Sequence, residues 1–377
     1  IPSSVTSIGG WAFANNCLTD VELPAGVQIS GGTFSNNDIT DSSAFIYKKN
    51  ADGTADYSTI VSYAGNKVDN ITLPATKNGV ALTRIEGNAF SGVGLTGHLT
   101  IPSTVTYIGG DAFAFNKLTS VTLNEGLKTI ASGAFRSNKL TSIDIPDSVT
   151  KIETTAFNSN NINGPDGIIY GRTTSGPDYG YIVSYAGGNV DGTITIPATK
   201  NGVKLRQIGG SAFADCRLTD VTLPDISQTN NLSISTNAFI RNRISSSSSS
   251  AYNNGGFFCK VSSGVIDCST ISSYGGTTSG TITIPDTING TTVKRVSAYF
   301  TWMSYSKLVL PSYSDLVLDN GVFGKSARNN QNLKTIVNKS GKSFAWDKIT
   351  STSITANNTF VTGTITHEAG NIEVVSG

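Results

Sequence analysis

The apolar positions of this chain fall into register when counted from Phe13, Phe34, Phe90, Phe113, Phe135, Phe157, Phe213 and Phe239. Five residues before each stands an isoleucine: Ile8, Ile29, Ile85, Ile108, Ile130, Ile152, Ile208 and Ile234. Five residues after each comes Leu or Ile, namely Leu18, Ile39, Leu95, Leu118, Leu140, Ile162, Leu218 and Ile244. The residue just before the Phe is Ala in seven of the eight, with Thr33 the exception. In the regular stretches a short alternating run follows, such as Val121-Thr122-Leu123 or Ile143-Asp144-Ile145, and this period of two predicts a strand. Neighbouring Phe residues there are 22 or 23 apart, so one coil is a strand plus a return segment. Such a coil cannot bury its own Ile, Phe and Leu. It must stack on neighbours carrying the same residues at the same height, which makes Phe113 and Phe135 adjacent rungs of one ladder.

A polar position repeats as well. Three residues after the Phe stands Asn16, Asn37, Asn116, Asn138, Asn160 or Asn242, with Cys216 and Val93 in the other two copies. An Asn at a sharp turn bonds backbone groups that no strand partner reaches, so a structural role is expected. The pairs Gly109-Gly110 and Gly209-Gly210 are read as a tight bend of the repeat rather than a phosphate cradle.

The run Leu118-Thr119-Ser120-Val121-Thr122-Leu123, with Leu127-Lys128-Thr129-Ile130 and Ala134-Phe135, resembles the BspA-type leucine-rich repeat of bacterial surface proteins. The resemblance extends over residues 1 to 340. It implies a β-rich, right-handed leucine-rich-repeat solenoid with short helical or 3-10 return segments. It further implies export to the bacterial cell surface and a part in adhesion, and it supplies no catalytic residue and no cofactor.

The spacings from Phe34 to Phe90 and from Phe157 to Phe213 are both 56 residues, too long for two plain coils. The extra segments align with each other and with a third. Phe45-Ile46-Tyr47 and Ile60-Val61-Ser62-Tyr63-Ala64-Gly65 match Ile168-Ile169-Tyr170 and Ile182-Val183-Ser184-Tyr185-Ala186-Gly187, then Phe257-Phe258-Cys259 and Ile271-Ser272-Ser273-Tyr274-Gly275-Gly276. Each reads as a β-hairpin protruding from the solenoid, near residues 45–65, 168–187 and 257–276. Tyr47 and Tyr57 in the first hairpin, and Tyr170 and Tyr179 in the second, correspond to Cys259 and Cys268 in the third. Replacement at both positions together is what a cross-strand contact produces, so a Cys259–Cys268 disulfide is predicted, in keeping with an oxidising, extracellular compartment. Cys17 and Cys216 belong to distant repeats and are expected outside any disulfide. The serine run Ser245 to Ser250 falls where the second copy has Asn163-Gly164-Pro165-Asp166 and reads as a loop within the solenoid.

Beyond residue 290 the ladder degrades, and residues 341 to 377 are read as a C-terminal cap, with Phe360 to Glu368 and Asn371 to Val375 as a last hairpin. The chain opens mid-repeat at Ile1-Pro2-Ser3 without Met and reads as an excised piece, with any signal or anchor outside it.

Composition narrows the function. Charged residues make up 14%, against about 25% in ordinary globular domains. The net charge is +1, and no Lys/Arg cluster tracks a phosphate backbone, so nucleic acid is not an expected partner. Apolar runs are far too short for direct membrane insertion, and a monomer is expected. The two histidines, His98 and His367, are far apart in sequence. No nucleophile elbow, Walker loop or paired Cys-x-x-Cys occurs, so an enzyme is not expected, nor a metal. Asp52-Gly53-Thr54-Ala55-Asp56 has part of a calcium-loop pattern but lacks its terminal Glu and reads as a plain turn.

Two surfaces remain for a partner, expected to be a protein or glycan on a host or neighbouring cell. One is the outward row of strand residues Glu22, Thr72, Thr100, Thr122, Asp144, Thr195, Thr222 and Thr283. The other is the hairpin tyrosines Tyr47, Tyr57, Tyr170, Tyr179 and Tyr181, which combine large area with a polar tip. Tyr63, Tyr185 and Tyr274, with their fixed context, are expected to pack their hairpins onto the solenoid. The alternative function is a spacer holding another domain away from the cell wall.

Overall fold

The computed structural model describes the chain except for residues 41, 66–67, 189–191, 246–248, 301–302, 320–321, 323–331, 343, 346–358, 361–362, 366–371 and 377. The described residues form short strands, turns and three 3-10 helices (Ser42–Ala44, Gly164–Gly167 and Ile226–Gln228), with no α-helix among them. The strands stack as coils of a β-solenoid, in two compact units, Ile1–Val190 and Asp191–Gly377.

In the first unit one sheet is built from very short parallel strands. Ile60 aligns with Ile85, Ile85 with Ile108, Ile108 with Ile130, and Ile130 with Ile152. The isoleucine row of the sequence is thus a straight line through successive coils. Beside it the phenylalanine rings of Phe90, Phe113, Phe135 and Phe157 stack with centroids 4.9, 5.4 and 5.4 Å apart, close to the spacing of paired strands. All four rings are fully buried. A second sheet pairs Thr96–Thr100 with Lys117–Thr122 in parallel; Leu99 and Thr100 lie beside Val121 and Thr122. Leu99 points into the core and Thr100 outward, the alternation a strand imposes.

In this sheet Arg84–Ile85, Tyr107–Ile108, Thr129–Ile130 and Lys151–Ile152 are only two residues long because the chain reverses on both sides of each following Phe. Asp111 (φ 55°) and Phe115 (φ 58°) flank Phe113 in the left-handed region, and Thr155 (φ 63°) and Ser159 (φ 59°) flank Phe157. The sharp bends therefore lie at these residues and not at Gly109-Gly110. That glycine pair is needed for close approach. A Cβ on Gly109 would lie 2.4 Å from the Gly87 backbone nitrogen of the neighbouring coil.

The second unit has its own ladder. Phe213, Phe239 and Phe258 stack at 5.2 and 4.5 Å, and Phe257, Tyr274 and Phe300 follow at 4.5 and 5.2 Å. Phe300 is fully buried, so the ladder persists where its sequence pattern has loosened. Ser279–Thr283, Ser304–Val309, Thr335–Asn338 and Ile372–Ser376 form a parallel array, closed by Gly363–Ile365 running antiparallel to Ile372–Ser376. These last two strands fall within the expected final hairpin; most of the expected cap, including His367, lies outside the described residues. Residues Ser249–Ser250, at the end of the serine run, pair with Asn253–Asn254 as a small hairpin.

Candidate partner-binding surfaces

The asparagine ladder comes first, because it accounts for the polar groups inside the coil. The Asn138 carboxamide oxygen accepts the Leu118 N–H at 3.1 Å, while its nitrogen donates to the Phe113 and Phe135 carbonyls at 2.9 and 3.1 Å. Asn116 and Asn160 repeat this with Leu95 and Leu140. In the second unit Asn242 accepts from Cys216 and Leu218 and donates to Phe213 and Phe239. Each amide staples its own coil to the preceding one. Asn16 sits exposed and bonds only locally, to the Ala14 carbonyl. Cys216 is buried at its ladder position, and its Sγ donates to the Ala214 carbonyl. Cys17 is an exposed free thiol.

The three hairpins are Phe45–Lys49 with Ala55–Tyr63, Ile168–Thr173 with Gly176–Tyr185, and Phe257–Ser262 with Val265–Tyr274. Their second strands are rungs in their own right. The Tyr63 N–H donates to the Ala89 carbonyl just as the Phe90 N–H donates to that of Ala112, and the Tyr63 ring stacks on Phe90 at 5.2 Å. Tyrosine thus takes the place of a ladder Phe, which accounts for the burial of Tyr63, Tyr185 and Tyr274. Because this rung runs straight, the backbone carbonyl that would accept the preceding Phe N–H is not offered. A serine hydroxyl replaces it: Ser62 for Phe34 at 3.1 Å, Ser184 for Phe157 at 3.1 Å and Ser273 for Phe239 at 3.2 Å. Sequence reading quoted these serines without assigning them a role. Their recurrence in all three copies was the available signal.

At the bulge of each hairpin lies the exchanged pair. Tyr47 meets Tyr57 edge-on at 5.2 Å, Tyr170 meets Tyr179 edge-on at 5.4 Å, and Cys259 is disulfide-bonded to Cys268. An aspartate forms each bulge: Asp56, Asp178 and Asp267 accept the N–H groups of Ser58, Gly180 and Ser269. Burial works against the Asp56 and Asp267 charges, but hydrogen bonds from the adjacent hydroxyls and N–H groups outweigh it and hold both carboxyls below their ordinary value. Burial, helped by the neighbouring Tyr179, pushes the Tyr170 hydroxyl up to about 12. Of the tyrosines singled out as partner contacts, Tyr47 is buried and already covered by its hairpin, whereas Tyr57, Tyr170, Tyr179 and Tyr181 are half-buried.

The outward row is exposed, although Glu22 and Asp144 lie in no strand, so the alternation of Ile143-Asp144-Ile145 does not mark one. Glu22, Thr72, Thr100, Thr122 and Asp144 are exposed in the first unit, and Thr195, Thr222 and Thr283 in the second. Thr72, Thr100 and Thr122 stand side by side in adjacent coils, as do Thr195 and Thr222. His98 belongs to this face. Its two ring nitrogens meet the Ser120 and Thr122 hydroxyls of the next coil at 2.7 and 3.1 Å.

Chemistry finds little purchase here. Among the described residues no three His, Cys, Asp or Glu side chains gather as metal ligands. Asp52 turns back on its own loop, accepting from the Thr54 N–H and hydroxyl at 2.9 and 2.7 Å. Asp20, Glu22 and Asp144 are exposed and lie outside the strands. No helix among the described residues is long and apolar enough to cross a membrane.

Stacked strand-and-return coils with an inward Ile, Phe and Leu and a stapling Asn define a leucine-rich-repeat solenoid. The family model described as the BspA type leucine rich repeat region matches six copies over residues 1–52, 54–163 and 192–274, and the chain belongs to this family. Its members are typically bacterial surface or secreted proteins and generally non-enzymatic, with a protein-interaction or repeat-scaffold role. Solved structures with similarity are a T. pallidum leucine rich repeat protein (22% identity, 53% of this chain and 87% of that one, TM-score 0.32) and a leucine-rich repeat protein from Bacteroides ovatus (17% identity, 80% and 68%, TM-score 0.30). A third, from Eubacterium ventriosum, shares 16% identity over 89% of this chain and 64% of its own, with a TM-score of 0.28. No curated protein sequence matches the chain.

Proposed function

We propose that this chain is a non-catalytic binding module of the bacterial cell surface, presenting exposed strand and corner residues to a protein or glycan on a host or neighbouring cell, and acting as a monomer. The observation that carries the reading is the regular exposure of one outward row, Thr72 beside Thr100 beside Thr122, in adjacent coils. The Cys259–Cys268 bond fits an oxidising, extracellular setting. A spacer role is the second reading. It is favoured by the threonine character of that row, which lacks the Trp, Tyr and Arg anchors of tight interfaces. Probing protein and glycan arrays with the whole chain separates the two. Specific hits are the expected result, and uniform silence would leave only the spacer.

A further inference from the structure

Three small hairpins follow the three long ones. Thr76–Lys77 pairs with Val80–Ala81, Thr199–Lys200 with Val203–Lys204, and Thr287–Ile288 with Thr291–Thr292. Each is closed by Asn-Gly: Asn78-Gly79, Asn201-Gly202 and Asn289-Gly290. Both loop residues have positive φ, at 51° and 77°, 48° and 78°, and 50° and 77°, as this type of two-residue hairpin turn requires. The three turns share a backbone and a dipeptide but differ in what holds the asparagine.

The third is pinned. Its Asn289 carboxamide nitrogen donates to the Ser250 and Ala251 carbonyls at 2.9 and 3.1 Å, and Ile288 beside it is fully buried. The first two stand free. Lysine takes the place of that isoleucine, as Lys77 and Lys200, and neither the Asn78 nor the Asn201 carboxamide has a hydrogen-bond partner among the described residues. Asn78, Gly79, Asn201 and Gly202 are all exposed. A Cβ on Gly79 or Gly202 would meet nothing within 4 Å, and the same holds of Gly290, so the difference lies at the asparagine.

Asparagine before glycine carries its own reagents. The glycine backbone nitrogen gives up its proton and bonds the asparagine Cγ, the side-chain nitrogen leaves as ammonia, and a succinimide ring remains. Water then opens the ring at either carbonyl, giving aspartate or isoaspartate, with no change of oxidation state. Ring closure needs the carboxamide to swing over the glycine nitrogen, and an exposed turn held by two-residue strands opens locally at little cost. At Asn289 two bonds to carbonyls of another segment must break first.

We propose that Asn78 and Asn201 are sites of spontaneous deamidation, and that Asn289 is protected from it. The product sets a carboxylate beside Lys77 and Lys200. Isoaspartate also adds a carbon to the main chain of a loop that has room for two residues, so the small hairpin loses its register. One exposed turn in each unit is thereby converted irreversibly with age.

The test ages the whole native chain in mildly alkaline buffer, with the same chain unfolded in guanidinium as the reference for intrinsic reactivity. Peptide mapping follows each asparagine by its conversion from amide to acid and by isoaspartate content. All three sites are expected to convert in the unfolded chain. In the native chain Asn78 and Asn201 should convert as well, while Asn289, relative to its own unfolded rate, should lag behind them by about tenfold or more. Equal relative rates at the three sites would overturn the protection of Asn289. Retention of the Asn78 and Asn201 amides by a native chain whose unfolded form reacts would overturn the sites themselves.

Discussion

A buried carboxamide that bonds three backbone groups from two coils has no substitute of similar size. Removing that of Asn138 orphans the Leu118 N–H and takes one of two amide donors from each of the Phe113 and Phe135 carbonyls, which keep Asn116 and Asn160. Since a buried, unsatisfied group costs about 1–3 kcal/mol, Asn138→Ala is expected to lower unfolding free energy by about 1–3 kcal/mol, read from urea denaturation. Substituting the exposed Asn16 should change it by less than about 0.5 kcal/mol. This ladder was legible in the sequence because Asn recurs at a fixed distance from Phe. The serine acceptors were not, because their role depends on a carbonyl that the neighbouring strand fails to present. Phe115 also escaped notice: nothing in the pattern marks a residue as left-handed when side chains from Asn to Phe all occur at that position. Acid should act on the bulge aspartates. The folded-state values of Asp56 and Asp267 lie below their ordinary value, so the stability they contribute is present above the unfolded value and lost as pH falls through the folded one. Melting temperature is therefore expected to drop below about pH 4, and an Asp56→Asn, Asp267→Asn chain should show a shallower drop.

Among the elements, the hairpins show what sequence alone could and could not convey. Exchange of both tyrosines for both cysteines at once revealed that Cys259 and Cys268 face each other. The same reading treated the hairpins as additions to the solenoid, whereas Ile60 to Tyr63 is itself a rung. Three residues separate Ile60 from Tyr63, where five separate Ile85 from Phe90, so the register that exposes every other coil skips this one. Equivalence of the three bulges makes a reciprocal prediction. Tyr47→Cys with Tyr57→Cys should form a disulfide on its own, detected as a linked peptide in non-reducing mapping, because the bulge that holds the edge-on pair matches the one that holds the cystine. Two free thiols in that variant would show that the hairpins are not equivalent. Conversely, Cys259→Ser with Cys268→Ser should lose about 2–3 kcal/mol, the worth of closing so short a loop.

For the molecule as a whole, the repeating coil was readable up to about residue 290 except at the hairpin rungs, but the division at Val190 was not. It falls just after the second hairpin, whose sequence does not differ in kind from the other two. Within a unit, stability has a direction that follows from stacking. A coil buries its Ile, Phe and Leu only against its neighbours, so local opening is resisted most where coils flank it on both sides. The coils of Phe113 and Phe135 meet that condition, with rings stacked above and below and both fully buried. The coil of Phe13 does not: its ring stacks only on Phe34 and is 36% exposed, and Trp11 beside it is 44% exposed. Native-state hydrogen exchange should therefore run fastest at the amides of Phe13 and Leu18 and slowest at those of Phe113, Leu118 and Phe135. Phe135→Ala, by emptying a rung, should shift the slow amides toward the fast ones and cost about 3–5 kcal/mol. Uniform protection across these coils, in the native chain or the variant, would mean that they open together and that nearest-neighbour stacking does not set the order.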